Sequence, residues 1–208
     1  MELYIRILAK HFSYRHPLFL TSSPIYLIPP ITSIYGLFAS ILKIGKNDVK
    51  ENRKLIKKEV QEKIKEIKIF VKKEFKGRPF GIMRWNADKS KWKENWFTPI
   101  TQFYLFDVDL IVFINCEEGF GRKLCEKIEN HESEFTPYLG SSENLIKDIS
   151  LISEEEKNSL HYNIEIKKLD SVTSLEKGEE LIRIRMPSKY DDEGNWVFED
   201  WIAIFKKS

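Results

Sequence analysis

The sequence predicts an α+β domain in which strands and helices are mixed along the chain. Residues 1–12 and 98–115 alternate in the manner of strands, whereas residues 31–44 repeat apolar side chains every three to four positions, as helices do. A chain of 208 residues with 42% hydrophobic composition can bury a substantial core. No internal repeat and no linker rich in proline, glycine or serine divides the sequence, so a single domain over residues 1–208 is expected.

The first predicted strand, residues 1–12, is expected to lie centrally in a sheet. Apolar side chains occur at both sets of alternating positions, which is typical of a strand buried mostly on both faces. A long loop, residues 13–28, follows it and contains Tyr14 and Arg15. Rigid elements position such loops for binding, so these side chains are candidate contacts.

The helix predicted at residues 31–44 has the clearest start and stop in the chain. Pro30 suits the first turn of a helix, and Gly45 can end one. One broad face is apolar and consists of Ile31, Ile34, Tyr35, Phe38, Ile41 and Leu42. A second face carries small residues that would let another backbone approach, namely Ser33, Gly36 and Ser40.

This helix lies within an uncharged run, residues 17–42, that is long enough to cross a bilayer. Pro24, Pro29 and Pro30 interrupt the run, and no secretory n-region precedes it. We therefore expect a buried core helix and no membrane partner.

Residues 47–66 predict a second, solvent-facing helix, because a narrow apolar stripe runs through dense lysine and glutamate. Glu59 and Lys63 are spaced to form an i,i+4 ion pair on this helix. Residues 67–75 then switch to alternation and predict a second strand.

Residues 76–97 predict a β-hairpin that projects from the core, with a polar turn at 86–90. Six basic residues, including Arg84 and Lys91, are interleaved with five aromatic ones, including Trp85 and Trp92. Cations match phosphates and aromatic rings stack on bases, so the pattern suits a single-stranded nucleic acid. Tryptophans are equally suited to anchor another protein, and the two interpretations are compatible.

Residues 98–115 give the longest strand pattern, expected to be two strands or one that bends near Asp107 to Asp109. Two aspartates in a strand could bind a metal, but no further carboxylates stand at the spacing of a metal motif. We therefore expect neither a metal site nor a cofactor. Residues 119–130 predict a short helix.

The C-terminal part begins with a predicted Gly-Ser loop at residues 136–142, from which residues 143–151 are expected to continue as a helix. Free backbone N–H groups at such a helix start could bind a phosphate. Residues 160–186 alternate in places. A turn at residues 191–194 is predicted between strands 181–190 and 196–205, which close the sheet as a hairpin.

The formal net charge of +2 hides a division between the two halves of the chain. Residues 1–100 hold 21 Lys and Arg against 9 Asp and Glu, whereas residues 101–208 hold 13 against 23. This division predicts one surface that attracts polyanions and another that meets a basic partner or solvent. Cys116 and Cys125 form no CxxC motif, which is typical of a reduced cytoplasmic protein.

Three segments resemble CRISPR-associated Cas family five, a family of repeat-associated (RAMP) proteins. HFSYRHP, residues 11–17, is similar to the family's loop after the first strand. YLIPPITSIYGLFASIL, residues 26–42, resembles its pattern of a proline pair, a hydroxyl residue and Tyr-Gly-Leu inside the first helix. PYLGSSENL, residues 137–145, resembles its Tyr-Leu-Gly-(Arg)-Ser-Glu loop, with Ser141 in place of the common arginine.

The resemblance implies a ferredoxin-like, RNA-recognition-type core with a protruding thumb, which we place at residues 76–97. It also implies a non-catalytic subunit of a type I CRISPR Cascade effector complex. Such a subunit would bind the 5′ handle of the guide RNA and cap the backbone filament. Its partners would be the guide RNA, the Cascade backbone subunit and the Cascade large subunit.

The resemblance and the residue patterns together give twelve expected RNA contacts: His11, Tyr14, Arg15, Ser33, Tyr35, Arg84, Trp85, Lys91, Trp92, Tyr138, Gly140 and Ser141.

Two other functions stay open. One branch of the family cleaves repeat RNA with a tyrosine and an adjacent lysine and histidine in mid-chain, where this sequence has no Lys-His pair. Lys10 and His11 with Tyr14 or Tyr35 could instead cleave RNA without a metal, the imidazole accepting a 2′-OH proton and the lysine steadying the phosphorane. The second alternative is an assembly subunit that binds protein only.

Overall fold

Strands dominate the computed structural model of the chain. The structure describes residues 1–13, 28–71, 76–85, 97–133, 135–138, 145–160, 162, 164–171 and 179–205, with only the backbone described at 76–85 and 97–103. Six of the expected RNA contacts lie outside these residues: Tyr14, Arg15, Lys91, Trp92, Gly140 and Ser141.

The described residues contain eight strands and four α-helices. The strands are β1 (Glu2–Phe12), β2 (Ile64–Val71), β3 (Lys76–Trp85), β4 (Phe97–Cys116), β5 (Ile146–Ile152), β6 (Ile164–Lys168), β7 (Glu180–Tyr190) and β8 (Trp196–Phe205). The helices are α1 (Ile31–Ile41), α2 (Val49–Glu59), α3 (Glu118–Glu129) and α4 (Glu154–Ser159).

All eight strands join one antiparallel sheet. Its order is β5-β1-β4-β2-β6-β8-β7, and β3 pairs with β4 outside this path. β1 lies between β4 and β5, so the prediction of a central first strand is confirmed. The α+β class predicted from the alternation and the helical repeat is confirmed as well.

One face of the sheet is buried beneath helices, and we call it the helix-covered face. Alternate residues of the central strands, such as Ile5, Ile7, Leu110 and Val112, are fully buried there. They join one core cluster with the apolar sides of α1, α2 and α3. Every second residue of each strand lies on this face, because side chains alternate along a strand.

Helix α1 fills the centre of this core. Eight of its eleven residues are buried, and the three that are not are the small residues Ser33, Gly36 and Ser40. The predicted helix and its small-residue face are therefore confirmed. The helix ends at Ile41 rather than at residue 44, because Lys43 adopts a left-handed φ of 62°.

Helix α2 is shorter than predicted. It starts behind Asp48, whose side chain accepts a hydrogen bond from the Glu51 N–H at 2.9 Å, and it ends at Glu59. The expected helix over 47–66 was wrong beyond this point, because Ile64 to Glu66 pair with the end of β4 as part of β2. The predicted ion pair between Glu59 and Lys63 is present at 3.0 Å.

Strand β4 bends at Asp107, as predicted. Asp107 has a φ of 55°, and the buried positions change sides between Leu105 and Val108. The paired β1 changes sides at the same place, between Ala9 and Phe12. A left-handed residue in mid-strand thus turns the sheet without ending it.

The helix expected at residues 143–151 was wrong, because Ile146–Ile152 is strand β5. It pairs with β1 from Tyr4 to Ala9 and so covers an edge of β1 that would otherwise be unpaired. The predicted C-terminal hairpin is confirmed: β7 and β8 pair around a turn in which Gly194 has a φ of 78°. The predicted helix at 119–130 is confirmed as α3.

Among the described residues, no helix has the length and apolar character needed to cross a membrane.

Candidate nucleic-acid interface

A two-stranded ribbon extends from the sheet, but its second strand differs from the prediction. The hairpin was expected within residues 76–97, whereas Lys76–Trp85 pair with the start of β4. β3 pairs with β4 from Lys76↔Phe106 to Trp85↔Phe97. The pairing of β1 with β4 stops at Phe12↔Leu105. In the described part of the chain, the next eight residues of β4 therefore pair with β3 alone. At about 3.3 Å per residue, these eight residues reach roughly 26 Å beyond the end of β1.

His11 lies at the base of this ribbon. It is half-buried, and its ring lies 5.7 Å from that of Tyr104 and 6.1 Å from that of Phe106. Its partner Phe106 also pairs with Lys76, so the three residues form a row across three strands. The row therefore places His11 at the root of the ribbon, on the strand next to β4.

Arg84 and Trp85 lie at the other end of the described ribbon. Arg84 pairs with Thr98, and Trp85 pairs with Phe97. Eight strand positions separate Arg84 from Lys76, so the structure does not bring these residues together with His11. Among the described residues, Arg84 and Trp85 therefore lie far along the ribbon from His11.

Tyr35 has a different environment from the other expected contacts. It is buried at 6% exposure, and this burial, with a smaller effect of the Glu199 carboxylate, raises the pKa of its hydroxyl. It lines a cavity of about 340 Å³ together with residues of β2, β6, β7 and β8. Ser33, two residues earlier, is half-buried, and its N–H donates to the carbonyl of Pro30 at 2.9 Å.

Glu199 is the centre of a charged network beside this cavity. Its carboxylate accepts hydrogen bonds from Lys189 at 2.8 Å, from Lys168 at 3.1 Å and from the Ser188 hydroxyl. Burial acts to raise the pKa of Glu199, but the three hydrogen bonds outweigh it and lower the pKa to about 2. The carboxylate therefore neutralises lysines that would otherwise offer an anion site.

Tyr138 lies at the same end of the sheet as His11. It is 48% exposed and forms an isolated bridge with Leu145. The following Ile146 pairs with Ala9, two residues before His11. The chain after Leu145 continues as strand β5 and not as the expected helix. The hypothesis that a helix start binds a phosphate here therefore loses its helix.

The face of the sheet opposite the helix-covered face carries residues that the sequence interpretation did not select. We call it the aromatic face. Tyr4, Phe113 and Lys68 form a row across β1, β4 and β2. The rings of Tyr4 and Phe113 lie 5.0 Å apart, and the Lys68 ammonium lies 5.2 Å from the Phe113 ring centre.

Beside this row, Arg6 and Asp109 form a two-point ion pair. The Arg6 Nε and Nη2 atoms donate to the Asp109 carboxylate oxygens at 3.0 and 2.9 Å. The hydrogen bonding of Arg6 to the Asp109 carboxylate, together with the charge of that carboxylate, raises the pKa of Arg6 against the effect of burial. Asp109 thus has a cationic side-chain partner, and no group of three or more potential metal ligands occurs among the described residues.

No protein-family model matches the sequence, and no curated protein matches it. The fold is similar to that of a chain from a CRISPR RNA-guided surveillance complex, with a TM-score of 0.60 and 10% identity, covering 98% of this chain and 89% of that one. It is also similar to the crystal structure of a Cas protein, with a TM-score of 0.52 and 14% identity, covering 100% of this chain and 96% of that one. At these identities, the similarity shows a shared fold.

Proposed function

We propose that the protein is a non-catalytic subunit of a type I CRISPR Cascade effector complex, of Cas family five. It binds the 5′ handle of the guide RNA and caps the backbone filament in the cytoplasm. The observation that carries the proposal is the fold similarity to a chain of an RNA-guided surveillance complex, which covers 98% of this chain. The three sequence segments that resemble family five point to the same class of subunit.

The strand order supports a ferredoxin-like, RNA-recognition-type core. β1, β2, β4 and β5 lie in the order β5-β1-β4-β2, with helices between β1 and β2 and between β4 and β5. This order agrees with the split β-α-β arrangement proposed here, in which antiparallel neighbours separate the strands of each unit.

The ribbon of β3 and β4 supports the thumb. It extends beyond β1, and its sequence between residues 76 and 97 carries the interleaved cations and aromatic residues. In the proposal, Arg84, Trp85, Lys91 and Trp92 act from the thumb on RNA or on the neighbouring backbone subunit. His11 and the loop after Tyr138 act at its base, with Tyr14 and Arg15 from the preceding loop.

The chemistry of the proposed site is binding without cleavage. Unpaired handle nucleotides can be stacked on aromatic rings and read at their edges, and lysine and arginine neutralise their phosphates. Binding that releases counterions weakens with salt, with a log-log slope of about −0.7 for each phosphate contacted on a single strand.

The experiment that tests the function is purification of the full chain expressed with its CRISPR array, followed by sequencing of the bound RNA. We expect intact RNA whose 5′ ends share one repeat-derived handle. Salt titration of the same RNA should give a negative slope, and the double variant Arg84→Ala/Lys91→Ala should make it shallower by up to about 1.4, because two phosphate contacts are removed.

The matched control is Lys58→Ala/Lys123→Ala, which removes the same charge from exposed positions on α2 and α3 and should leave the slope unchanged. A flat salt response of the original protein would instead favour an assembly subunit that binds protein only. RNA cut by the purified protein, with cutting lost in His11→Ala, would make it an endoribonuclease.

A further inference from the structure

The aromatic face holds a pocket that none of the expected RNA contacts lines. It has a volume of about 490 Å³, within the range of small-ligand sites. Its walls come from β1, β2, β4 and β6, from α4 and from the segment that leads into β6. They consist of Tyr4, Lys68, Phe70, Phe113, Glu154, Lys157, Asn158, Tyr162 and Glu165.

Four aromatic rings from four segments of the chain line this pocket. Tyr4 and Phe113 lie 5.0 Å apart, and Phe70 and Tyr162 lie 5.8 Å apart, between ring centres. Phe113 is buried, whereas the other three rings keep part of their surface open. A flat apolar ligand could therefore stack on these rings without unfolding the protein.

The Lys157 ammonium covers two of these rings in the structure. It lies 4.9 Å from the ring centre of Tyr4 and 4.9 Å from that of Phe70. Among the described residues it forms no ion pair, and its charge faces the two rings. A ring face attracts a cation only weakly at an exposed site, so a stacking ligand can displace the ammonium.

The polar groups of the pocket match a base better than a phosphate. Lys68 is already paired with Glu66 at 2.8 Å, and the carboxylates of Glu154 and Glu165 would repel a phosphate placed among them. The same carboxylates can accept hydrogen bonds from the amino groups of a base, and the Asn158 amide can both donate and accept.

We propose that this pocket binds a single unstacked nucleobase, held between the rings of the aromatic face and read at its edge by Glu154, Asn158 and Glu165. The displaced Lys157 ammonium then turns to the phosphate of the same nucleotide. The base comes either from single-stranded RNA or from a free nucleotide, since both present the same chemistry. The site goes beyond the proposed function and does not depend on handle binding.

The test is photo-crosslinking of the full chain to two probes, a short oligouridine that contains 4-thiouridine and free 4-thiouridine monophosphate. Mass spectrometry then locates the adducts. We expect adducts on the peptides that carry Tyr4, Phe70 or Tyr162. Adducts with the oligonucleotide alone identify a strand as the source of the base, and equal labelling by both probes identifies a free nucleotide.

Two variants test the pocket without relying on one side chain. Phe70→Leu removes a stacking ring but keeps an apolar residue, and Lys157→Ala removes the phosphate partner from a surface helix. Phe70→Leu should weaken the labelling of these peptides about tenfold, the amount expected for loss of one stacked base. Lys157→Ala should weaken it by a smaller factor, because it removes a phosphate contact and leaves the rings in place. Lys147→Ala, an exposed lysine on β5, is the matched control and should leave labelling unchanged.

The proposal is overturned if no adduct maps to these peptides with either probe, or if Phe70→Leu and Lys157→Ala leave their labelling unchanged. Protection of Lys157 from acetylation by a copurified protein subunit, without RNA adducts, would overturn it in favour of a protein partner. Adducts confined to residues 76–97 would also overturn the proposal that the pocket binds a base, but they would leave the proposed handle binding intact. Labelling in the pocket together with a flat salt response would support the pocket and contradict the proposed handle binding.

Discussion

The two faces of the sheet use the same strands for different purposes. On the helix-covered face, Ile5, Ile7 and Leu110 are fully buried under α1 and its neighbours. On the aromatic face, Tyr4 and Arg6 alternate with those isoleucines along β1 and remain partly exposed. On β1, one set of alternate residues is therefore buried in the core, whereas the other set keeps part of its surface exposed.

The difference shows how alternation can mislead when aromatic residues are involved. β4 is buried on both faces, Phe113 included, but Tyr4 on β1 stays partly exposed although the same alternation predicts that it is buried. In the structure Tyr4 and Phe113 cover the aromatic face together with Lys68 and the Arg6–Asp109 pair. On β1, the mixture of a ring with a charged residue at alternate positions marks the partly exposed face, whereas the isoleucines mark the core.

The largest expected effect compares two leucines on opposite faces. Leu110→Ala should lower the free energy of unfolding by about 3 kcal/mol, because Leu110 is completely buried and the sheet cannot close the cavity. Leu8→Ala, on the aromatic face, should cost about 1 kcal/mol, because Leu8 is only half-buried. Urea denaturation of both variants measures the difference. Equal losses would mean that the aromatic face is as tightly packed as the other.

Much of the fold could be predicted because its elements depend on local patterns. Helix α1 depends on Pro30 and a repeat of large apolar residues, and the β7–β8 hairpin depends on a turn that requires Gly194. β5 could not be predicted in this way. Its residues are ambiguous between helix and strand, and pairing with β1, about 140 residues away in sequence, decides between them.

The next comparison uses neighbouring carboxylates on β8 whose side chains point to opposite faces. Glu199 holds Lys168 and Lys189, whereas Asp200 pairs with the exposed Arg183. Glu199→Gln should lower the free energy of unfolding by about 2 kcal/mol at pH 7, because two partly buried ammonium groups lose a charged acceptor. Asp200→Asn should change it far less, because solvent screens an exposed pair.

The pH dependence sharpens this comparison. The pKa of Glu199 is lowered in the folded protein from its ordinary 4.5 to about 2, so its ionised form favours folding. Its contribution is complete above the ordinary pKa and is lost as the pH falls from about 4.5 towards 2. The stability difference between the original protein and Glu199→Gln should therefore shrink over this range in urea titrations. A difference that stays constant would show that the carboxylate does not act through its charge.

The candidate site was harder to predict than the fold. The sequence predicted a hairpin within residues 76–97 from its crowded cations and aromatic residues, but only the first strand of the ribbon lies there, because residues 76–85 pair with residues 97–106. The pocket on the aromatic face joins Tyr4, Phe70, Phe113 and Tyr162, which no spacing rule connects. For Tyr35 the sequence suggested more than the structure offers. Its place near a helix start suggested contact with a ligand, but the residue is buried.

The smallest expected effect concerns the hydroxyl of Tyr162, which is buried and has no hydrogen-bond partner in the described part of the chain. Burial, followed by the charge of Asp109, raises its pKa, so the group stays neutral and gains nothing from ionisation. Tyr162→Phe should therefore leave the free energy of unfolding unchanged or raise it by up to about 1 kcal/mol, because an unsatisfied polar group is removed.

Tyr4→Phe is the matched control, since the Tyr4 hydroxyl makes only a long, exposed hydrogen bond of 3.5 Å to Glu154 and should also change stability little. A loss of more than about 1 kcal/mol for Tyr162→Phe in urea would show that its hydroxyl is hydrogen-bonded in solution. In that case the aromatic face would share the packing of the helix-covered face at this position. An unchanged free energy of unfolding would instead support an aromatic face whose rings are held by neighbouring residues and stay available for a ligand.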